Sequence, residues 1–538
     1  MKNPQRPSIA YFCMEYGLHA DFKNYAGGLG ILAGDYMKGA KDGDYPIVGI
    51  GIKWKQGYTT QVIQKDGLPV DTYPIHEFDF LEDTGIVIDL TIRRRSVRCK
   101  VWKCDCFGNA DLYLLDTDLP ENEDPWITGQ LYGWFGEQRI AQEMVLGIGG
   151  IRVLRKLGIA VDVYHFNEGH ALFAGFELIR EKMASGNTFQ EAWEASRNEI
   201  VFTTHTPVVQ GNESHPIDRL QYMGADMGFT REQLVTLGGE PFNMTVGGLR
   251  LSRQANAVSQ LHGETAKEMW KDVEDKKEIV AITNGIHLPT WVDKKMLDLV
   301  DGSDEDLWQQ HQENKTALIN YIEQKSGIAF RLDRLLIGFS RRAVPYKRSD
   351  LFFRDPEVVA DWLAEKKIQL VFSGKGHPLD DEGKRIVQRL VQMQQKYPGS
   401  VVFIEDYDML TGAMMTRGSD IWLNNPRRPK EASGTSGMKA SMNGVLNLSI
   451  LDGWWDEICQ HGVNGWQIGD AHVPKTVEEH DEKDKKALYK VLTEEVLPTY
   501  YQDRSKWIRM MHASIETTMA QFSVDRMLEE YYDLMYDV

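Results

Sequence analysis

Twice along the chain, short apolar runs rich in β-branched and aromatic residues alternate with segments whose apolar positions recur every three or four residues. In the first half the runs are IAYFCMEY near the N-terminus, PIVGIGIKW from Pro46, ADLYLLDTD from Ala110, VDVYHFNE from Val161, EIVFTTHT from Glu199 and IVAITNGI from Ile279. Helical patterns stand between several of them, such as EQRIAQEMVLGIGGIRVLRKLG from Glu137 and EGHALFAGFELIREKMA from Glu168. Runs of strand length separated by amphipathic helices predict βαβ units around a parallel sheet. After a charged helical stretch at 304–326 the pattern restarts, with RLLIGFSR, IQLVFSGK, SVVFIEDY, DIWLNNP and VLNLSIL separated by helical segments near 355–366, 380–396 and 408–417. The expectation is an α/β chain with domains at 1–325 and 326–505, followed by a C-terminal helical segment, 506–538, as the candidate to pack back across the domain junction. At roughly 100–200 residues per domain, the chain has ample length for this.

Composition excludes several partner classes. Sixty-one Lys and Arg against 79 Asp and Glu give a net charge of −18, a field that repels nucleic acid at long range. No run of ~18 apolar residues is present to span a bilayer. The N-terminal MKNPQRPSIAYF has neither the apolar core nor the small-residue cleavage site of a secretory signal, so a cytoplasmic protein with no membrane partner is expected. Five cysteines are not a disulfide framework in so long a chain. Cys99, Cys104 and Cys106 lie in a strand-like alternating run without zinc-site spacing, and His165 and His170 are five apart, so no metal is assigned. The G-x-S-x-G elbow of many α/β hydrolases is absent.

In open parallel sheets ligands sit outside the carboxyl ends of the strands, so the residues just after each apolar run carry the functional information. After the first run comes NYAGGLGILAGDYMKGAKDG, where glycines followed by a helix start suit either an anion site or a tight βα turn. After the run at 334 comes SRRAVPYKRSD, placing Arg341, Arg342, Lys347 and Arg348 within eight residues. Such a cluster suits a phosphate, or else a solvated charge run. Arg427, Arg428 and Lys430 follow the run at 420. EASGTSGMKASMNG, from Glu431, combines a Ser, Thr and Gly helix start with one acid suited to sugar hydroxyls and one interior cation, Lys439. A desolvated lysine has a lowered pKa, toward the range where an amine reacts with carbonyl compounds. Asn167, Glu168, His170, His205 and Asn284 also fall at strand ends, as hydroxyl-orienting candidates or as structural polar groups.

These segments together resemble the α-glucan (glycogen, starch and maltodextrin) phosphorylases, in their compact bacterial and archaeal form. The resemblance rests on GGLGILAGD, YLLDTDLPEN, FNEGHALF, TTHTP, TNGIHLPTW, RRAVPYKR, EASGTSGMKASMNG and LDGWWDE, spread over nearly the whole chain. It implies a GT-B glycosyltransferase-like fold, with two Rossmann-like domains facing an interdomain cleft. It also implies pyridoxal 5′-phosphate carried by Lys439, with Gly434, Thr435 and Arg341 at the cofactor phosphate and Tyr407 and Trp291 lining its pocket. By the same match Gly28, Arg342 and Lys347 hold substrate phosphate, while Glu431, Ser433, Asn284 and His205 hold the glucosyl unit. Arg342, Lys347, Lys439 and His205 are thereby the expected catalytic group.

The implied reaction is reversible phosphorolysis of a terminal α-1,4-glucosidic bond to glucose 1-phosphate with retention, the 5′-phosphate of the cofactor serving as acid and base. The partners are then α-1,4-glucan and inorganic phosphate or glucose 1-phosphate; homodimers are common in the family, and allosteric segments are not expected here. The alternative is a retaining nucleotide-sugar-dependent glucosyltransferase of GT-B fold. Such enzymes carry two glutamates at the spacing that here separates Glu431 from Lys439, so the lysine favours the phosphorylase. A glucan-binding scaffold without activity would have no need of Arg342, Lys347 and Lys439. Val344 and Pro345 stand where the family more often has histidine and glutamate, and Ala26 where the long enzymes carry asparagine.

Overall fold

Each apolar run expected as a strand is one. Most are buried along their whole length, as parallel strands covered on both faces must be. The computed structural model describes residues 6–208, 211–299 and 302–537. Contacts divide the chain into two units, the first made of 1–59, 73–283 and 524–538, the second of 60–72 and 284–523.

The first unit is built on a nine-stranded sheet. In chain order its strands are β1 (Ile9–Phe12), β2 (Ile47–Ile52), β3 (Glu82–Ile92), β4 (Arg95–Cys104), β5 (Leu112–Asp116), β6 (Val163–Asn167), β7 (Ile200–Thr203), β8 (Gln254–Ala257) and β9 (Ile279–Ala281). They lie in the order β9-β8-β7-β6-β1-β2-β5-β4-β3, parallel from β9 to β5, with β4 and β3 added antiparallel at one edge. The order reverses at β1 and β6, which makes their carboxyl ends the switch point of the sheet. Cys99 and Cys104 are buried strand residues and Cys106 is exposed beyond the strand.

The second unit is built on a six-stranded sheet of β10 (Leu335–Ser340), β11 (Ile368–Ser373), β12 (Val401–Ile404), β13 (Ile421–Asn424), β14 (Leu446–Ile450) and β15 (Gly465–Ile468). All are parallel, in the order β12-β11-β10-β13-β14-β15, the doubly wound arrangement with its switch point between β10 and β13. Among the described residues no helix is long and apolar enough to cross a membrane.

The unit boundaries differ from those expected at 325 and 505, for physical reasons. The charged helix Asp304–Ser326 is not a linker: its Leu318, Ile319 and Ile322 pack on Leu336, Val371 and Trp422 of the second unit. Its Lys315 is fully buried, donating to Asp420 Oδ2 at 2.6 Å and to the Arg334 carbonyl at 2.6 Å, while His311 meets Asp420 Oδ1 at 2.9 Å. Asn284 and Trp291 therefore belong to the second unit.

At the C-terminus the helix Arg504–Met519 also stays with the second unit, whereas residues from Val524 onward join the first. There Tyr536 meets Tyr36 hydroxyl to hydroxyl at 2.6 Å, and a Cβ on Gly39 would lie 2.6 Å from Val524. Residues 60–72, a hairpin of Thr60–Ile63 and Pro69–Thr72, belong to the second unit despite their place in the sequence. Gln61 exchanges hydrogen bonds with the Gly376 backbone at 2.9 and 3.0 Å, and Asp71 pairs with Lys384 at 2.6 Å.

His165, on β6, is wholly buried, 2.7 Å from the Tyr536 hydroxyl and 2.7 Å from that of Thr203. Burial, with His205 nearby, pushes its imidazole down to about 3. A depressed imidazole favours folding above its ordinary value of 6.5, and that contribution is lost as pH falls toward 3. From pH 7 to pH 5 this group should remove about 2 kcal/mol of stability. In urea titrations His165→Gln is expected to be less stable than the parent at pH 7, with a decline to pH 5 shallower by about that amount.

Candidate active site

In the second unit β10 and β13 deliver their following loops to the switch point. Arg341 follows directly on β10, and its guanidinium donates to Asn424 at the end of β13 and lies 3.3 Å from Glu431 Oε2. Lys347 donates to the same Glu431 oxygen at 2.6 Å. Glu431 is held from behind, its backbone N–H donating to Asp452 Oδ2 at 3.0 Å. Burial alone would raise the Glu431 carboxyl, but Arg341 and Lys347 outweigh it and hold the group below its ordinary value, ionised. Burial, then the charge of Glu431, pushes Asp452 well up instead. Two buried carboxyls side by side are thus driven apart in protonation.

Gly434 turns the chain into the helix α1 (Thr435–Met442) with φ of 89°, a left-handed conformation that favours glycine. A Cβ there would sit 3.3 Å from Glu431 Cγ and 3.4 Å from Arg341 Nη2. The start of α1 has no side-chain cap, and the buried Ser433 hydroxyl and Arg341 Nε have no hydrogen-bond partner among the described residues. Lys439 lies on the inner side of this helix, buried, with Nζ 3.3 Å from the centre of the Trp291 ring. Trp291 is fixed by its carbonyl, which accepts from Arg417 Nε at 3.0 Å and from Asn443 Nδ2 at 3.2 Å. Tyr407 has room for its ring because position 412 is glycine, where a Cβ would stand 2.4 Å from the tyrosine hydroxyl. Asn284 is buried in the same unit, and Arg342 is exposed.

The seven cations read from the sequence do not all serve this site. Arg348 is fully buried and bonded to Asp481 and Asp484, Arg427 to Asp481, and Arg428 to Asp456. Arg341, Arg342, Lys347 and Lys430 are the ones to consider for an anion.

In the first unit the switch point brings together residues after β1, β6 and β7. Glu15, missed in the sequence although it closely follows β1, accepts from the N–H groups of Ala26 and Gly27 at 2.6 and 3.0 Å and from the Tyr132 hydroxyl at 2.9 Å. Gly28, at the start of the following helix Gly28–Asp42, is exposed, with open space where a Cβ would be. Gly30 and Gly34 in that motif serve packing instead: a Cβ on Gly34 would lie 1.9 Å from the Gly17 carbonyl oxygen. Glu168 adopts φ of 80°, a strained backbone for a side-chain residue, and accepts from the His205 N–H at 2.9 Å and the Thr206 hydroxyl at 3.2 Å. His205 meets Asn167 Oδ1 through Nε2, and burial pushes its imidazole down to about 3, so it is neutral at pH 7.

Beside it lies a second polar group, also missed. Arg139 Nε is 3.4 Å from Glu213, and His215 is 3.1 Å from Glu143. Among the described residues Glu143, Glu213 and His215 alone have the composition and spacing of a metal site, and Arg139 already places a positive charge against them. Arg139 and Glu143 share one face of the helix Glu137–Met144, but no spacing rule links them to positions 170, 213 and 215; only the tertiary fold gathers them.

A sequence profile of the carbohydrate phosphorylases matches residues 294–487, which include Trp291's neighbours, both cationic loops and Lys439. The maltodextrin phosphorylase of Thermococcus litoralis is 39% identical over 98% of this chain and 70% of its own length. The glycogen phosphorylase of Aquifex aeolicus is 36% identical over 98% of this chain and 86% of its own. The chain belongs to the carbohydrate phosphorylase family. An uncharacterized protein of Methanocaldococcus jannaschii, 36% identical over 98% of this chain and 99% of its own, has the same compact length.

In this carbohydrate phosphorylase the geometry at Gly434 is a direct handle on the loop between Glu431 and α1. Gly434→Ala strains the backbone and presses on Glu431 and Arg341. It is expected to cost about 1 kcal/mol of stability in urea titration and to weaken pyridoxal 5′-phosphate binding several-fold in calorimetry.

Proposed function

We propose that the chain catalyses reversible phosphorolysis of terminal α-1,4-glucosidic bonds in glycogen, starch or maltodextrins, giving glucose 1-phosphate with retention, and that it carries pyridoxal 5′-phosphate on Lys439. The two doubly wound units would act as the facing halves of a GT-B cleft in the cytoplasm. The observation that carries the reading is Lys439: a buried amine against an indole, on a helix whose uncapped start lies beside Arg341 and Glu431.

The residues present suit that cofactor. Trp291 and Tyr407 give flat walls, and Gly434, Thr435 and Arg341, with its unpartnered buried Nε, suit a phosphate. When bound, the cofactor supplies a phosphate group able to exchange a proton with the substrate phosphate. The chain's own residues do the rest. Arg342 and Lys347, with Gly28, hold the substrate phosphate by charge and by open backbone. Ionised Glu431 accepts from a glucosyl hydroxyl, and Ser433 and Asn284, of the same unit, are its further polar partners. Neutral His205, donating through Nε2 to Asn167, keeps Nδ1 as an acceptor for a sugar hydroxyl. Cations fixed before the substrate arrives favour the crowding of negative charge around an oxocarbenium-like centre.

The decisive experiment is borohydride reduction of the folded, pyridoxal-phosphate-saturated protein, followed by digestion and mass spectrometry, together with an assay for glucose 1-phosphate from maltodextrin and inorganic phosphate. A pyridoxyl adduct on Lys439 and glucose 1-phosphate release are expected. An unmodified Lys439 would overturn the reading and leave the retaining nucleotide-sugar-dependent glucosyltransferase. Glu431→Gln should lower kcat/KM for glucan by about 10–100-fold, the loss expected for one charged hydrogen bond to a hydroxyl.

A further inference from the structure

Two carboxylates with no place in the reaction bind the loops that carry the site. The helix Val477–Val491 presents Asp481 and Asp484 on one face. Asp481 accepts from Arg348 Nη1 at 3.0 Å, from Arg427 Nε and Nη2 at 2.8 and 2.7 Å, and from Arg354 Nη1 at 2.5 Å. Asp484 accepts from Arg348 Nη2 at 2.7 Å and lies 3.2 Å from His480 Nε2.

The two arginines reach both loops of the switch point. Arg348 donates to the carbonyls of Asn425 and Pro426 at 2.8 and 2.8 Å, and its own carbonyl accepts from Asn425 Nδ2 at 3.1 Å. Arg427 returns the link, its backbone N–H donating to the Tyr346 carbonyl at 2.8 Å and its Nη1 to that of Pro345 at 3.2 Å. Arg348 is wholly buried and its backbone is left-handed, with φ of 52°, a conformation that persists in a side-chain residue only where its surroundings enforce it. The residue before it is Lys347, and Glu431 lies four residues beyond Arg427; these two meet at 2.6 Å. A buried guanidinium that loses one carboxylate must move or take on water. Because Arg348 and Lys347 share a peptide unit, such movement is transmitted to the Lys347 ammonium.

We propose that Asp481 and Asp484 are positioning residues for the anion-binding end of the second unit: through Arg348 and Arg427 they set the place of Lys347 and Glu431, and with it the affinity of the site for phosphate. The inference rests on the functional reading above for the identity of the anion.

The test uses full-length, cofactor-saturated Asp484→Asn and Asp481→Asn, with Arg354→Met as a control that removes an ion pair from Asp481 while leaving Arg348 and Arg427 their carboxylates. Inorganic phosphate affinity is measured by calorimetry, KM for phosphate and KM for maltodextrin separately by kinetics, and the thermal midpoint alongside. In the Asn variants phosphate affinity should weaken and KM for phosphate should rise by roughly tenfold, the loss of one well-placed charged contact, with a smaller rise in KM for maltodextrin as Glu431 shifts with its loop. Arg354→Met should leave both unchanged. Lower thermal midpoints with unchanged phosphate affinity would overturn the proposal, as would equal phosphate weakening in Arg354→Met. If an Asn variant does not fold, Asp484→Glu, which keeps the charge and displaces it by one methylene, carries the same readouts and expectations. Calorimetry separates the two readings: a parent protein that binds phosphate without cleaving glucan would sink the proposed activity and still allow the comparison, whereas one that binds no phosphate would sink this inference.

Discussion

A doubly wound parallel sheet has one place where neighbouring strands send their loops to opposite faces, and the candidate site residues of both units are arranged around that constraint. In the second unit the place lies between β10 and β13, and it is filled by charge: Arg341 and Lys347 both face Glu431. Charges removed from water must be paired or face a steep desolvation cost, so the pairing fixes where the loop after β10 and the loop after β13 come to rest. Gly434, Ser433 and the start of α1 then follow from Glu431, and Lys439 follows from α1.

The same need for pairing sorts the cations into two kinds. Arg348, Arg427 and Arg428 are consumed by Asp481, Asp484 and Asp456, and they build the loops without facing the site. Arg341 and Lys347 share a single glutamate, so the site holds more positive than negative charge at its centre, an arrangement suited to an arriving anion. In the first unit the chemistry is more nearly neutral. Burial keeps His205 unprotonated and Glu168 holds the turn that carries it, a polar rim suited to hydroxyl groups more than to phosphate.

The strands were legible because buried parallel strands are continuous apolar runs, and the site motifs were legible because strand ends in such sheets are where ligands go. Glu431 and Lys439 were expected on that rule, Trp291 and Tyr407 by family resemblance alone, and the second unit brings these four around one helix and its neighbours. Adjacent residues were another matter. Arg348 and Lys347 are indistinguishable as letters, yet one is buried against two aspartates over 130 positions away in sequence and the other faces Glu431. Glu15 was within reach of the strand-end rule. Arg139, Glu143 and Glu213 were not, because their partners lie on other elements with no fixed spacing.

What the sequence determined by itself was the period of its apolar residues, hence the strands, the helices and the restart of the pattern, together with the glycines and small residues that local backbone geometry demands. Where one unit ends was decided only by tertiary packing. The helix Asp304–Ser326 looks like a charged linker until its Lys315 and His311 close on Asp420. The hairpin at 60–72 and the tail from Val524 look continuous with their neighbours until Gln61 meets Gly376 and Tyr536 meets Tyr36. Local propensity depends on residues a few positions apart. Unit membership and the protonation of buried groups depend on which distant surfaces exclude water together, and no short stretch of sequence carries that information.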